Sequence, residues 1–188
     1  MISAPHASQS SNSLRNDLLM ALFLIGLCVV ARLLLHVPNV SPVAASALFA
    51  GMMLRHRPLA LAVPLAGMLI GDMFVGFYHW QVMIVVYAAL ALPAVAGILL
   101  RHSRALRVVV PAVLGCSLLS FIATNLTVWA FAGLYSLDAA GLIQCYVAAL
   151  PFLKYTIAGD LFWAAVLFGG AWQVQRLATR TTAVAARS

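Results

Sequence analysis

Residues 81–107 read QVMIVVYAALALPAVAGILLRHSRALR. Gln81 to Leu100 contains no charged side chain, and the residues after it include Arg101, Arg104 and Arg107. About 20 apolar residues let an α-helix cross the hydrocarbon of a bilayer. Arginines clustered just beyond a span mark the cytoplasmic side. The stretch therefore predicts a transmembrane helix that ends in a cytoplasmic loop.

Working outward, the same pattern repeats. Apolar runs cover Leu18–Leu35, Pro42–Leu54, Pro58–Val75, Val108–Ala132 and Ala139–Gln173. The second is short for a span. The last is too long for one helix, and Pro151 divides it, because proline removes a helix hydrogen bond and clashes with the preceding turn. The expectation is a short surface or re-entrant helix before Pro151 and a sixth span after it. Residues 1–17 are polar and Ser-rich and are expected to form a disordered cytoplasmic tail. Residues 18–173 form the membrane domain, and 174–188 a basic cytoplasmic tail. Arg15 ahead of the first run would also suit a signal peptide, but no small-x-small cleavage site follows.

Composition agrees. Of 188 residues 64% are hydrophobic and 8% charged, with a mean hydropathy of +1.04. Soluble domains carry roughly a quarter charged residues, so a water-facing surface cannot be built. The net charge of +7 is a topology signal and not a nucleic-acid patch, since the basic residues lie between apolar runs. Six spans that start inside place Arg15, Arg55, Arg57, Arg101, Arg104, Arg107, Arg176, Arg180 and Arg187 in the cytoplasm and leave only Arg32 and Lys154 elsewhere. Tyr78, Trp80, Tyr135 and Tyr155 then fall near the outer interface, where amphipathic rings are favoured. The expected fold is an all-α membrane protein. It is a bundle of about six transmembrane helices with both termini inside. Pairs such as Ala47-x-x-x-Gly51, Gly67-x-x-x-Gly71 and Ala165-x-x-x-Gly169 suit close helix packing.

Polar residues inside spans are costly, so they pair with one another or face a cavity. Arg32 and His36 share a face at the outer end of the first span. Asp72 lies about one turn from the outer end of the third, Asn125 and Trp129 share a face of the fifth, and Thr156 and Asp160 share a face of the sixth. All are expected in the outer half, which points to a cavity open to the outside. Asn39, Tyr78, His79, Tyr87 and Tyr135 complete the candidate ligand-binding set. Aromatic and polar groups of this kind stack on and hydrogen-bond an organic ligand. His79, or Cys145 from the third outer loop, offers a ligand atom for a transition metal. Gly71-Asp72-Met73-Phe74 is echoed by Gly159-Asp160-Leu161-Phe162, too short a match to establish a repeat. No cofactor, resident metal or enzyme motif is indicated. Two other readings stay open: Arg32 as internal glue with Asp72 or Asp160 in an accessory subunit, and His79 or Cys145 as the reactive group of a membrane enzyme acting on a lipid or cofactor.

Four segments resemble a bacterial family with the fold of ECF-type substrate-binding (S) components. They are Pro38-Asn39-Val-Ser-Pro42 through Gly51, Pro64 to Asp72 with Gly76-Phe77, Thr124-Asn125 to Trp129, and Gly141 through Cys145-Tyr146 to Pro151-Phe152. The similarity runs from about Arg32 to Gly169. It implies a six-helix protein that binds a vitamin-like small molecule from outside, and within that group the chain is similar to the BtuM-type solitary cobalamin-uptake proteins. The Ala-x-x-x-Ala signature that S components carry on the first span for docking to an energising module is absent, which favours solitary action over such a partner. The outer-loop cysteine associated with cobalt ligation is also missing from the second outer loop, leaving His79 or Cys145 to replace it.

Overall fold

The structure is a computed structural model that describes residues 5–34, 40–103 and 105–185. Among these residues there are six α-helices and no strand: α1 (Pro5–Leu34), α2 (Val43–Met53), α3 (Arg57–Val75), α4 (Trp80–Leu100), α5 (Leu106–Phe131) and α6 (Ala139–Ala185). All but α2 are long and apolar enough to cross a membrane. Helices satisfy their own backbone, which lipid cannot do for them. Large apolar side chains such as Phe23, Leu99 and Phe162 point outward, as they do where the surroundings are lipid. The chain is a helical multi-pass membrane protein.

The short helix is the centre of the bundle. At 11 residues α2 rises only ~16 Å, about half of the ~30 Å hydrocarbon. It is enclosed instead: Val43 and every residue from Ala45 to Met52 are buried, against neighbours on each of the other helices. Gly51 and Gly97 bring α2 and α4 into backbone contact. A Cβ on Gly51 would strike the carbonyl oxygen of Ala94, and one on Gly97 that of Leu48.

α1 and α3 run parallel. In the first half of α1, Asp17 accepts the backbone N–H groups of Arg55 at 2.8 Å and His56 at 2.9 Å. Further along, Cys28 lies against Gly67 and the Arg32 stem against Gly71. Parallel neighbours require the chain to return between them, so α2 with its flanking residues makes a full crossing on a half-length helix. α4 ends where α2 ends, with the Arg101 guanidinium donating to the Leu54 carbonyl. α5 and α6 are antiparallel, with Ser117 opposite Asp160 and the Tyr146 hydroxyl on the Ile122 carbonyl at 2.8 Å.

Three expectations are corrected. Pro151 lies inside a continuous α6, so no separate surface helix precedes it. The proline forfeits one backbone bond, but ending the helix there would free several more where no water replaces them. α1 reaches back to Pro5 and α6 on to Ala185, so helix extends into both stretches read as tails. Lastly, Gly169 meets nothing within 4 Å, so the Ala165–Gly169 pair does not make a close helix contact.

The two ends of the bundle differ in chemistry. Around the Leu54 end of α2, Leu24, Leu48, Met52, Val63, Val113 and Leu167 form a dry core, with Phe49 edge-on to Phe168 at 5.1 Å between centroids. The opposite end holds a polar cavity.

Candidate ligand cavity

The cavity has a volume of about 350 Å³ and takes residues from every helix. Arg32 lines its mouth near the end of α1, and Asp72, near the end of α3, stands behind Arg32. Asp72 is fully buried and both its oxygens are used: Oδ1 pairs with the Arg32 guanidinium, and Oδ2 accepts the Tyr87 hydroxyl at 2.8 Å. Arg32 also points Nη1 at the Met68 sulfur, 3.3 Å away, and its Nε is buried without a hydrogen-bond partner. Gly71 makes the arrangement possible, since a Cβ there would collide with the Arg32 side chain. The result is a neutral three-residue unit that ties α1, α3 and α4 together.

Asp160 forms the floor. It is 5% exposed, and Oδ2 lies 2.6 Å from the Ser117 hydroxyl. Ser117 is eight residues before Asn125 on α5, and Pro93, beside Asp160, is six residues after Tyr87 on α4. At 1.5 Å per residue this puts Asp160 roughly 9–12 Å below the mouth. The sequence reading puts Asp160 about two turns into its span, deeper than Asp72 at about one turn from the outer end of its own.

The wall between mouth and floor carries hydroxyls. Ser117, Ser120 and Thr124 line the cavity from α5 and Thr156 from α6. Ser120 reaches the Ala89 carbonyl of α4 at 3.3 Å, Thr124 the Ser120 carbonyl at 2.7 Å and Thr156 the Phe152 carbonyl at 3.0 Å. Asn125 also lines the cavity and donates Nδ2 to the Phe121 carbonyl at 2.8 Å. Phe121 and Phe152 supply ring surface.

Of the residues singled out from sequence, Arg32, Asn125 and Asp160 line the cavity, and Asp72 and Tyr87 support Arg32. His36 and Asn39 lie outside the described residues. Tyr78 and His79 are exposed on the α3–α4 connection. Tyr78 is still covered in part, and that partial burial, with the nearby Asp72 charge, pushes its phenol above its usual range. Trp129 is used structurally, its indole N–H on the Ser136 carbonyl at 2.9 Å; neither it nor Tyr135 lines the cavity. Cys145 is not in an outer loop. It is buried on α6, with its thiol 3.4 Å from the Asn125 carbonyl. Among the described residues no group of three or more His, Cys, Asp or Glu is placed to hold a metal ion.

Sequence reasoning missed Ser117, Ser120 and Met68. The signal was there for the hydroxyls: Ser117, Ser120 and Thr124 are spaced i, i+3, i+7, which puts them on one helix face. It also missed Asp17, which holds the α2–α3 connection and takes the His56 Nδ1 contact at 2.7 Å. No curated protein and no solved structure matches the chain. One family model does: it covers residues 12–183, and with them α2 to α5, most of α1 and α6 and the whole cavity wall, so the chain belongs to DUF6580, a family of unknown function.

Proposed function

We propose that the protein binds a small organic nutrient in this cavity and carries it into a bacterial cell across the inner membrane. The observation that carries the proposal is the asymmetry of the bundle: a polar cavity at one end of α2 and a dry core at the other. With the arginine clusters in the cytoplasm, the cavity faces outward and the core is the inner seal. Six crossings with both termini inside accord with parallel α1 and α3. The resemblance to S components supports the same reading, and the missing docking signature favours action without an energising module.

The volume favours a modest ligand. About 350 Å³ is at the low end of the ~300–1,000 Å³ that drug-sized ligands occupy. A one- or two-ring vitamin or precursor suits it, whereas a corrinoid such as cobalamin would need the bundle to open. Arg32, its charge balanced by Asp72, then acts as a wall of the mouth and not as the main ligand contact.

The test is thermal unfolding of the purified protein in mild detergent against a vitamin and precursor panel, paired with cellular uptake. A stabilising compound whose uptake depends on the protein is the expected result. No stabilisation by any compound, together with uptake untouched by Arg32→Ala, would sink the proposal. An accessory-subunit role has one observation in its favour, the self-contained Arg32–Asp72–Tyr87 unit. It predicts that Arg32→Ala lowers the amount of folded protein and that no compound binds.

A further inference from the structure

We propose that the cavity is built for an organic cation, a ligand whose protonated amino or amidino group ends on Asp160. This rests on the ligand-cavity reading above and narrows it to a class of substrate. Charge is the first argument. Arg32 and Asp72 cancel, which leaves Asp160 as the uncompensated charged group among the described residues that line the cavity. The groups packed around it bring no counter-ion. α2 presents Ala44, Ala45 and Leu48, α4 presents Pro93, and α5 presents Val113, Cys116 and Ser117. Lys154, on the same helix, is exposed and sits over the Tyr155 ring at 5.0 Å. A carboxylate at this depth is costly unless a proton or a ligand cation neutralises it. Its one hydrogen bond among the described residues is through Oδ2, so Oδ1 is left for a ligand.

Hydrogen-bond polarity is the second argument, and it is independent of charge. A Ser or Thr hydroxyl has one hydrogen and two lone pairs. Ser120, Thr124 and Thr156 each spend that hydrogen on a main-chain carbonyl. Ser117 is within reach of both the Val113 carbonyl, at 2.9 Å, and Asp160. What these hydroxyls turn to the cavity is lone pairs. Around Asp160 the wall therefore accepts hydrogen bonds, while the side chains with N–H groups to give, Arg32 and Asn125, lie toward the mouth; the deep end matches an ammonium or amidinium and mismatches a carboxylate or phosphate. Phe121 and Phe152 add ring faces, whose negative quadrupole attracts cations.

The experiment compares isosteres. Purified protein in mild detergent at neutral pH is melted with sets of one- and two-ring compounds that share a skeleton and differ in one group: benzylamine, benzyl alcohol and benzoate, benzamidine and benzamide, and their two-ring homologues. The expected result is stabilisation by amines and amidines, with alcohols, amides and acids at least tenfold weaker. Asp160→Asn abolishes that preference while its unliganded melting temperature stays near that of the wild type. If Asp160→Asn does not fold, the wild-type comparison decides alone. Alcohols or acids binding as well as the amines would overturn the charge assignment and leave the ligand cavity standing. Stabilisation by none of the sets would overturn both.

Discussion

Asp72 shows how a single side chain is made tolerable in a bilayer. Its two oxygens meet Arg32 and Tyr87, so removing one partner strands the others. Arg32→Met leaves a fully buried carboxylate against one hydroxyl, and breaking a buried ion pair from one side costs about 3–5 kcal/mol. Tyr87→Phe removes a hydrogen bond to a charged group and is expected to cost about 1.5–3 kcal/mol. The double change Arg32→Met with Asp72→Leu should fall much nearer to wild type than either charge removal alone, because nothing charged is left behind. Denaturant unfolding in detergent, run as a double-mutant cycle, measures all three. If the double variant is as unstable as the two single variants added together, Arg32 and Asp72 do not act as a pair.

At the scale of elements, the α2–α4 contact is the most sensitive. Gly51 and Gly97 each face the backbone of the other helix, and a backbone cannot turn aside as a flexible side chain can. Gly97→Ala is expected to destabilise by at least the ~1–3 kcal/mol typical of overpacking. Gly169→Ala, where nothing is in the way, should leave the melting temperature unchanged or raise it slightly, since alanine is the better helix former. Equal losses at the two positions in the same melting assay would mean that helix contact is not what Gly97 serves. The elements themselves were legible in the sequence, because runs such as Gln81–Leu100 are set by hydropathy alone. Pro151 misled because the rule for soluble helices was applied where broken backbone bonds cost more. The enclosure of α2 was not legible either. Its run Val43–Met53 is apolar apart from Ser46, and only its neighbours tell a buried helix from a lipid-facing one.

For the whole molecule, orientation is the testable quantity. All three native cysteines are buried, so wild-type protein provides a low background for thiol labelling. His79→Cys, on the exposed α3–α4 connection, should react with a membrane-impermeant maleimide added outside intact spheroplasts. Ser103→Cys, beside the arginine cluster, should react only after lysis. The reverse pattern would put the cavity on the cytoplasmic side and remove the uptake reading. The candidate site was partly legible at this scale. Arg32, Asp72, Asn125 and Asp160 stood out because polar residues in apolar runs are few. That Arg32 pairs with Asp72 and leaves Asp160 alone depends on α1 lying parallel to α3, which no local pattern encodes.

The half-length α2 also bears on how the protein is made. Helices of about 11 residues are marginal by themselves, and this one is too short to be retained as an independent span. Its crossing becomes stable only once α3 and α4 are present to cover it, and the cavity wall is complete only when α6 has followed α5. Biogenesis therefore has a threshold. Ribosome-bound chains that stop before α4 would hold α1 in the membrane with the α2 segment still unprotected, open to quality-control proteases. Chains long enough to bring Gly97 against Gly51 would have passed that stage of vulnerability.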